Sequence, residues 1–137
     1  MDQDVSWMLD RARIVELTAR YNHCFDEGKA DDYAALFTED GVMEVAGGPT
    51  TTGRKALADM CSRTPRTIKH VTTDGTVVVD GDRATQLVSL VVLNRSNKRG
   101  EQPTVMSTGV YRDELARTPQ GWRFSRRHVT LDGWTQT

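Results

Sequence analysis

The sequence is poor in the residues that mark several kinds of site. It has only 2 cysteines, Cys24 and Cys61, and their spacing fits no metal or redox motif. It has only 3 histidines, and no compact His, Cys and Asp cluster has the spacing of metal ligands. No glycine-rich phosphate loop follows a strand either. We therefore expect reduced thiols, no bound metal and no other cofactor.

Excess charge and long apolar runs are also missing. The 18 Lys and Arg residues nearly balance 19 Asp and Glu residues, giving a net charge of −1 and no broad basic face of the kind that binds nucleic acid. No apolar run approaches the length of a membrane-spanning helix. The acidic, amphipathic start, MDQDVSWMLDRARIVEL, is unlike a signal peptide. These features predict a cytoplasmic protein with neither nucleic acid nor membrane among its partners.

The first half of the chain has helical periodicity. The length of 137 residues predicts one domain, residues 1–137. An apolar stripe runs from Trp7 to Phe25 at helical spacing, and Gly28 is a natural helix stop. A second short helix is predicted in ADDYAALF, then a turn at TEDG and a short strand in VMEVAGG. A third helix, capped by a threonine, is predicted in TTTGRKALADMCSR.

The second half has the pattern of long strands. They are predicted at Thr67–Val79, Arg83–Asn94, Thr104–Arg117 and Trp122–Trp134, and are rich in Val, Thr and aromatic residues. Helices followed by an antiparallel sheet predict an α+β domain with its helices on one face of the sheet. A strongly curved sheet wrapped over the long helix would enclose a pocket, which is the expected ligand site.

A histidine lies near the start of the first long strand, in TIKHVTTDGTVVVDG. With ideal alternation, His70 shares one face of the strand with Ile68, Thr72 and Asp74. It can be a structural residue, with its ring satisfied by Asp74 or by a backbone carbonyl. It can also be a catalytic base whose partner lies elsewhere in the chain, and the strand pattern leaves both interpretations open.

Two polar residues belong to the end of the first helix. Asp26 lies about 120° around the helix from the stripe that contains Ile14 and Tyr21. It neighbours Val15 and Ala19, so it is either an exposed acid or a residue that faces a pocket. Tyr21 lies on the stripe itself, where its ring can be core and its hydroxyl needs a partner.

The last strand, GWRFSRRHVTLDGW, contains a cation among apolar residues. Ideal alternation places Trp122, Phe124 and Arg126 on one face and Arg127 on the other, beside Val129. An unpaired cation in such surroundings is unusual. Taken alone, Arg127 is therefore interpreted as one half of a salt bridge across the sheet.

Taken together, these segments resemble a known family. YNHCFDEGKADDYAALFTEDGVMEV, GRKAL, TIKHVTTDGTVVVDGDRAT and GVYRDEL with GWRFSRRHV are similar, in this order, to the SnoaL-like group of the nuclear transport factor 2-like superfamily. The nearest branch contains scytalone dehydratase, lindane dehydrochlorinase and bile-acid 7α-dehydratase. The resemblance covers nearly the whole chain and implies a cone-shaped α+β barrel that assembles as a homotrimer or a dimer.

The resemblance also implies roles for the candidate residues. Asp26 and His70 match the catalytic aspartate and histidine of this branch. Tyr21 matches a polar residue five positions before the aspartate, and Arg127 matches an arginine five positions after the strand tryptophan, Trp122. These last two are expected to bind the substrate.

The implied function is that of a cofactor-independent lyase or isomerase. Its substrate would be a small, largely apolar cyclic molecule such as a polyketide, a steroid-like compound or an aromatic compound. The alternatives are a polyketide cyclase that closes a ring by aldol chemistry, and a non-catalytic binding or assembly module in which Asp26 and His70 do not touch. Apolar residues on the exposed sheet face, Val77 and Val79, predict self-association.

Overall fold

The computed structural model describes residues 2–133. Its elements follow in the order α1 (Gln3–Glu27), α2 (Ala30–Ala34), β1 (Phe37–Val45), β2 (Thr50–Thr52), α3 (Arg54–Arg63), β3 (Ile68–Asp80), β4 (Arg83–Asn94), β5 (Thr104–Thr118) and β6 (Gly121–Leu131). The predicted helices and long strands are present, whereas the short strand β2 was not predicted. The last strand ends at Leu131, while its predicted end at Trp134 lies outside the described residues. None of the helices in this range is both long and apolar enough to cross a lipid bilayer.

Helix α1 has clear start and stop signals. The side chain of Asp2 accepts a hydrogen bond of 2.8 Å from the backbone N–H of Asp4, which caps the first turn. Gly28 ends the helix as predicted, with a φ of 74° that favours glycine. The apolar stripe does not begin at Trp7, since this side chain is 41% exposed and the buried face starts at Asp10.

The six strands form one open sheet in the order β2-β1-β6-β5-β4-β3. β1 and β6 are parallel, and the other neighbouring pairs are antiparallel. The helices pack on this mostly antiparallel sheet, which confirms the predicted α+β architecture. The sheet does not close into a barrel, because β2 and β3 remain its two edges.

The residues around β1 differ from the prediction. TEDG, predicted as a turn, lies within β1 (Phe37–Val45). The pairing of β1 with β6 is irregular there, with a register shift between Phe37 and Val42. Helix α3 starts after Gly53 without any side-chain cap, so the predicted threonine cap is absent.

A bulge in β3 changes which of its residues face the interior. The register with β4 shifts between Thr73 and Thr76, and Asp74 has a φ of 58°. After this extra residue the alternation is reversed, so Val77 is buried and Val78 is 67% exposed. Val79 is partly buried and packs against the core as well. The prediction that Val77 and Val79 lie on the exposed face is therefore wrong, because ideal alternation does not continue through a bulge.

A second bulge does the same in β6. Leu115 of β5 lies opposite Phe124, and Glu114 lies opposite Arg126, so Ser125 is the extra residue. Arg127 is consequently buried on the same side as Trp122 and Phe124, while Arg126 is exposed. The predicted grouping of Arg126 with Trp122 and Phe124 is wrong for this reason.

A row of mostly polar residues joins α1 to the sheet. Every fourth residue of the helix from position 10 to position 26 is buried: Asp10, Ile14, Thr18, Asn22 and Asp26. The four polar members take partners on the sheet: Arg117 and Trp122 for Asp10, Gln86 for Thr18, Thr72 for Asn22 and His70 for Asp26. These partners cross the sheet from β5 and β6 to the edge strand β3, so α1 is fixed along most of its length.

Candidate active site

The last polar contact between α1 and β3 is made by Asp26 and His70. Nδ1 of His70 lies 2.6 Å from Oδ1 of Asp26. The backbone N–H of His70 donates to the other carboxylate oxygen, Oδ2, at 2.9 Å. Both oxygens of one carboxylate are thus bound to the same residue, which fixes the position of the histidine backbone and ring together.

The surroundings of His70 are apolar and nearly closed. Its side chain is 12% exposed and that of Asp26 is 9% exposed. The ring of Phe25 meets the imidazole edge to face at a centroid distance of 5.1 Å, and Val92 lies opposite His70 on β4. Asp74, the alternative partner for His70, is exposed in the β3 bulge.

This geometry determines what the imidazole can do. An ionised carboxylate only accepts hydrogen bonds, so the nitrogen that faces Asp26 carries the proton in the neutral ring. Nε2 is then the free, basic nitrogen, and Asp26 can stabilise the imidazolium that forms when Nε2 takes up a proton. The pair therefore has the parts of a general base held in one tautomer.

Tyr21 lies deeper in the interior than the Asp26–His70 pair. The hydroxyl of Tyr33 donates to the hydroxyl of Tyr21 at 3.1 Å, and the hydroxyl of Tyr21 has the thioether of Met43 as its acceptor at 3.7 Å. Burial, followed by the nearby Tyr33, raises the pKa of Tyr21 well above its ordinary value. Its hydroxyl thus stays protonated, and its proton has only a weak acceptor.

Arg127 has no exposed surface. Its Nε and Nη2 atoms donate to the two carboxylate oxygens of Asp113, at 2.9 and 3.3 Å. Its guanidinium carbon lies 3.5 Å from the ring centroid of Tyr111, 4.2 Å from that of Tyr21 and 4.6 Å from that of Phe124. Arg127 and Asp113 thus form an ion pair, and the guanidinium group of Arg127 lies among three aromatic rings.

Burial and the charge of the partner have opposite effects on the pKa of each residue in this ion pair. Burial raises the pKa of Asp113, and the charge of Arg127 and the hydrogen bond from Gln86 oppose that rise. Burial disfavours the charged form of Arg127, but the charge of Asp113 outweighs it with help from the two tyrosines, so the pKa of Arg127 is raised. Gln86 also donates to Thr18, at 3.0 Å, which ties this network to α1.

Two buried side-chain polar atoms in the described part of the chain lack a hydrogen-bond partner: Nη1 of Arg127 and Oδ1 of Asn22. Such atoms are rare in native interiors and call for a physical explanation. Asn22 lies one helical turn before Asp26, and its Nδ2 donates to Thr72 at 2.9 Å. The interior thus offers one free donor and one free acceptor near the candidate residues.

The four predicted site residues form two contacting pairs. Asp26 contacts His70, and Tyr21 contacts Arg127. Phe25 links the pairs, since its ring packs against His70 and stacks on Tyr21 at a centroid distance of 6.2 Å. The space between α1 and the sheet that was predicted as a pocket is thus lined and largely filled by aromatic rings.

Sequence reasoning missed three residues of this network: Asn22, Gln86 and Asp113. Asn22 could have been found from the polar spacing along α1, because it lies four residues before Asp26. Gln86 and Asp113 left no such signal, since their burial depends on how β4 and β5 are paired.

Cys24 and Cys61 are both free thiols, and burial raises the pKa of each.

Comparison with known proteins identifies relatives over almost the whole chain. Residues 7–128 match the family model of the SnoaL-like domain. The uncharacterised protein Rv2910c of Mycobacterium tuberculosis is 30% identical in an alignment of 132 residues that covers 92% of this chain and 88% of that protein.

Solved structures show the same architecture. An NTF2-like protein with a cystatin-like fold from Novosphingobium aromaticivorans is 31% identical, with a TM-score of 0.86 over 96% of this chain and 88% of the other. A variant of Rv3472, a protein of unknown function from Mycobacterium tuberculosis, is 30% identical, with a TM-score of 0.88 over 96% of this chain and 77% of the other.

Proposed function

Since the chain belongs to the SnoaL-like family, whose members include small-molecule dehydratases, isomerases and cyclases, we propose that it is a cofactor-independent lyase. The observation that carries the proposal is the 2.6 Å contact between His70 Nδ1 and Asp26 Oδ1. The alternative of a non-catalytic module predicted that these two residues do not touch.

The proposed reaction begins with removal of a proton from carbon. His70 Nε2 takes the proton from a carbon next to a substrate carbonyl, and the electron pair of that C–H bond forms an enolate. Asp26 keeps Nε2 basic and stabilises the resulting imidazolium. A positioned base of this kind contributes about 10²–10⁴-fold in rate.

Elimination completes the reaction. The enolate electrons form the carbon–carbon double bond as the bond to a β-hydroxyl breaks, and the hydroxyl leaves as water after receiving the proton from the imidazolium. Return of the proton to another carbon would give an isomer instead. Attack of the enolate carbon on a second carbonyl would close a ring, which is the cyclase alternative.

Tyr21 and Arg127 are proposed to hold the oxygen on which charge develops. The proton of the Tyr21 hydroxyl has only a thioether acceptor, and Nη1 of Arg127 is buried without a partner. Donors in a dry interior stabilise an oxyanion strongly because little water screens them. The surrounding rings favour a small, largely apolar cyclic substrate. Such a substrate has to separate the stacked rings of Tyr21 and Phe25 to contact both His70 and Arg127.

The first experiment tests proton abstraction without the native substrate. Wild-type protein is incubated in D₂O with a panel of cyclic ketones, and deuterium at the carbon next to the carbonyl is followed by NMR. We expect His70→Ala to slow the exchange at least about 10²-fold, because the base is lost. His23→Ala, which removes an exposed histidine of α1, is the matched control and should exchange at the wild-type rate.

The same assay defines the role of Asp26 and the outcome of the reaction. Asp26→Asn should slow the exchange as well, since an amide cannot balance the charge of the imidazolium. With β-hydroxy ketones as substrates, loss of water, a shifted double bond or a new ring identifies a lyase, an isomerase or a cyclase. Wild-type exchange by the His70→Ala variant would refute the proposed mechanism.

A further inference from the structure

A cationic groove lies on the other side of α1, away from the Asp26–His70 pair. It has a volume of about 360 Å³ and opens between α1, the start of β1 and the β5–β6 turn. Three arginines line it, Arg13, Arg20 and Arg123, and we call it the arginine groove. Its floor is apolar and consists of the buried side chains Leu17, Leu36 and Trp122.

The positive charge of the arginine groove is poorly balanced. Within residues 2–133, no carboxylate lies in ion-pair contact with Arg13 or Arg123. Glu16 also lines the groove and is 3.7 Å from Arg20, but both side chains are about two-thirds exposed, so this pair contributes little. The charge of Arg13 helps to lower the pKa of the buried Asp10, but this carboxylate already binds Arg117 and the indole N–H of Trp122.

Arg123 is fixed at the groove and lies near other arginines, whose charges act on it. Its Nη1 donates to the backbone carbonyl of Trp122 at 2.8 Å, which fixes the guanidinium at the groove. Burial lowers the pKa of Arg123, and the charges of Arg54 and Arg20 lower it further. Arg54 is itself fixed, with Nε and Nη2 both donating to the carbonyl of Phe37 at 3.1 and 2.8 Å. The fold therefore holds like charges close together where an anion could neutralise them.

We propose that the arginine groove binds the phosphate or diphosphate group of a small organic molecule. Guanidinium groups match phosphate oxygens with two parallel hydrogen bonds, and several of them together suit a group with more than one negative charge. The groove volume is in the range of small-ligand sites, and its apolar floor can take part of the organic moiety. His70 and Asp26 do not line this groove, so the inference does not depend on the proposed lyase activity.

The test follows the arginine Nε–H signals by ¹H–¹⁵N NMR. Wild-type protein is titrated with inorganic diphosphate at an ionic strength kept constant with sodium chloride. We expect saturable shifts of the Arg13, Arg20 and Arg123 signals. Replacement of Arg13 or Arg123 by alanine should weaken binding at least tenfold, whereas Arg99→Ala, in an exposed loop, should bind like the wild type.

Further probes distinguish an organic phosphate ligand from the free anion, and they test whether a variant loses binding because it is misfolded. ADP binding more tightly than inorganic diphosphate would identify an organic ligand, and equal affinity would identify the free anion. Arg123→Lys keeps the positive charge but loses the planar guanidinium group that donates two parallel hydrogen bonds. This variant should therefore bind more weakly while unfolding at the wild-type temperature. Shifts that do not saturate, or unchanged affinity in the Arg13→Ala and Arg123→Ala variants, would overturn the inference.

Discussion

At the scale of single residues, the least exposed cation of the described chain is also one of its most tightly packed side chains. Arg127 lies between three aromatic rings and bonds Asp113 through two nitrogens. Removing two charges from water is costly, and only good geometry offsets that cost. The free Nη1 atom shows that this buried pair is incompletely satisfied, which suits a site better than a purely structural core.

The first prediction at this scale concerns Asp113. Asp113→Leu leaves the charge of Arg127 buried without its partner, so we expect the free energy of unfolding to fall by about 3–5 kcal/mol. Asp113→Asn keeps an oxygen acceptor and should cost less, about 1–3 kcal/mol. Both losses would be measured by urea denaturation.

The control removes both charges at once. Asp113→Leu combined with Arg127→Met should recover most of the stability lost by Asp113→Leu alone, because no charge remains uncompensated. An Asp113→Leu variant as stable as the wild type would show that the ion pair contributes nothing to folding.

At the scale of elements, the polar row of α1 fixes the helix to the sheet in addition to its buried apolar stripe. Asp10 accepts from Arg117 at 2.9 and 3.0 Å and from Trp122 at 3.0 Å. Asp26 makes the corresponding contact with β3 at the other end of the helix. The helix thus carries one half of the candidate general base and is fixed to the sheet at both ends.

The second prediction concerns the pH dependence of this attachment. The hydrogen bonds from Arg117, partly offset by burial, hold the pKa of Asp10 below its ordinary value of 3.8. A depressed carboxylate pKa stabilises the fold above the unfolded pKa, and this contribution is lost as the pH falls through the folded pKa. Asp10→Asn should therefore lower the free energy of unfolding by about 1–3 kcal/mol at neutral pH.

The measurement is urea denaturation of both proteins over a pH series. The difference between them should shrink as the pH falls below 3.8 and through the lower pKa of folded Asp10, because the wild-type side chain then becomes neutral like the asparagine. Asp31→Asn, which changes an exposed acid in α2, is the matched control. A difference between wild type and Asp10→Asn that is the same at every pH would contradict this assignment.

At the scale of the whole molecule, no helix among residues 2–133 covers the outer face of the sheet. A groove of about 550 Å³ crosses this face, with Val78 and Leu87 67% and 44% exposed. Both signs of charge lie beside these apolar residues, with Arg112 opposite His128 and Glu114 opposite Arg126 in the β5–β6 register. A surface with an apolar strip and both charges is complementary to a second copy of itself.

The third prediction is therefore self-association through this face. Wild-type protein should form oligomers in sedimentation experiments, and Leu87→Lys or Val78→Lys should shift it to monomer, because a lysine cannot be buried unpaired. Val15→Lys replaces an apolar residue of α1 that is 41% exposed and should leave the oligomer intact. Monomeric wild-type protein at every concentration would exclude this interface.

The sequence by itself determined the elements and the class of fold. The helical stripe, Gly28 and the strand-rich second half predict the helices and strands because local periodicity and turn chemistry decide where elements form. It also predicted the four candidate site residues, through the resemblance of Asp26, His70, Tyr21 and Arg127 to a family pattern. That resemblance identifies the positions of these residues in the sequence, but it does not give the distances between their side chains.

Only the tertiary structure decided which side chains meet. Single extra residues near Asp74 and at Ser125 reverse the alternation of β3 and β6, which buries Val77 and Arg127. A bulge of one residue leaves almost no trace in a sequence, yet it moves every following side chain to the other face. The burial of Asp26 is also decided by tertiary structure. Its position on α1 is compatible with exposure or burial, and only the packing of α1 against β3 gives it His70 as a partner.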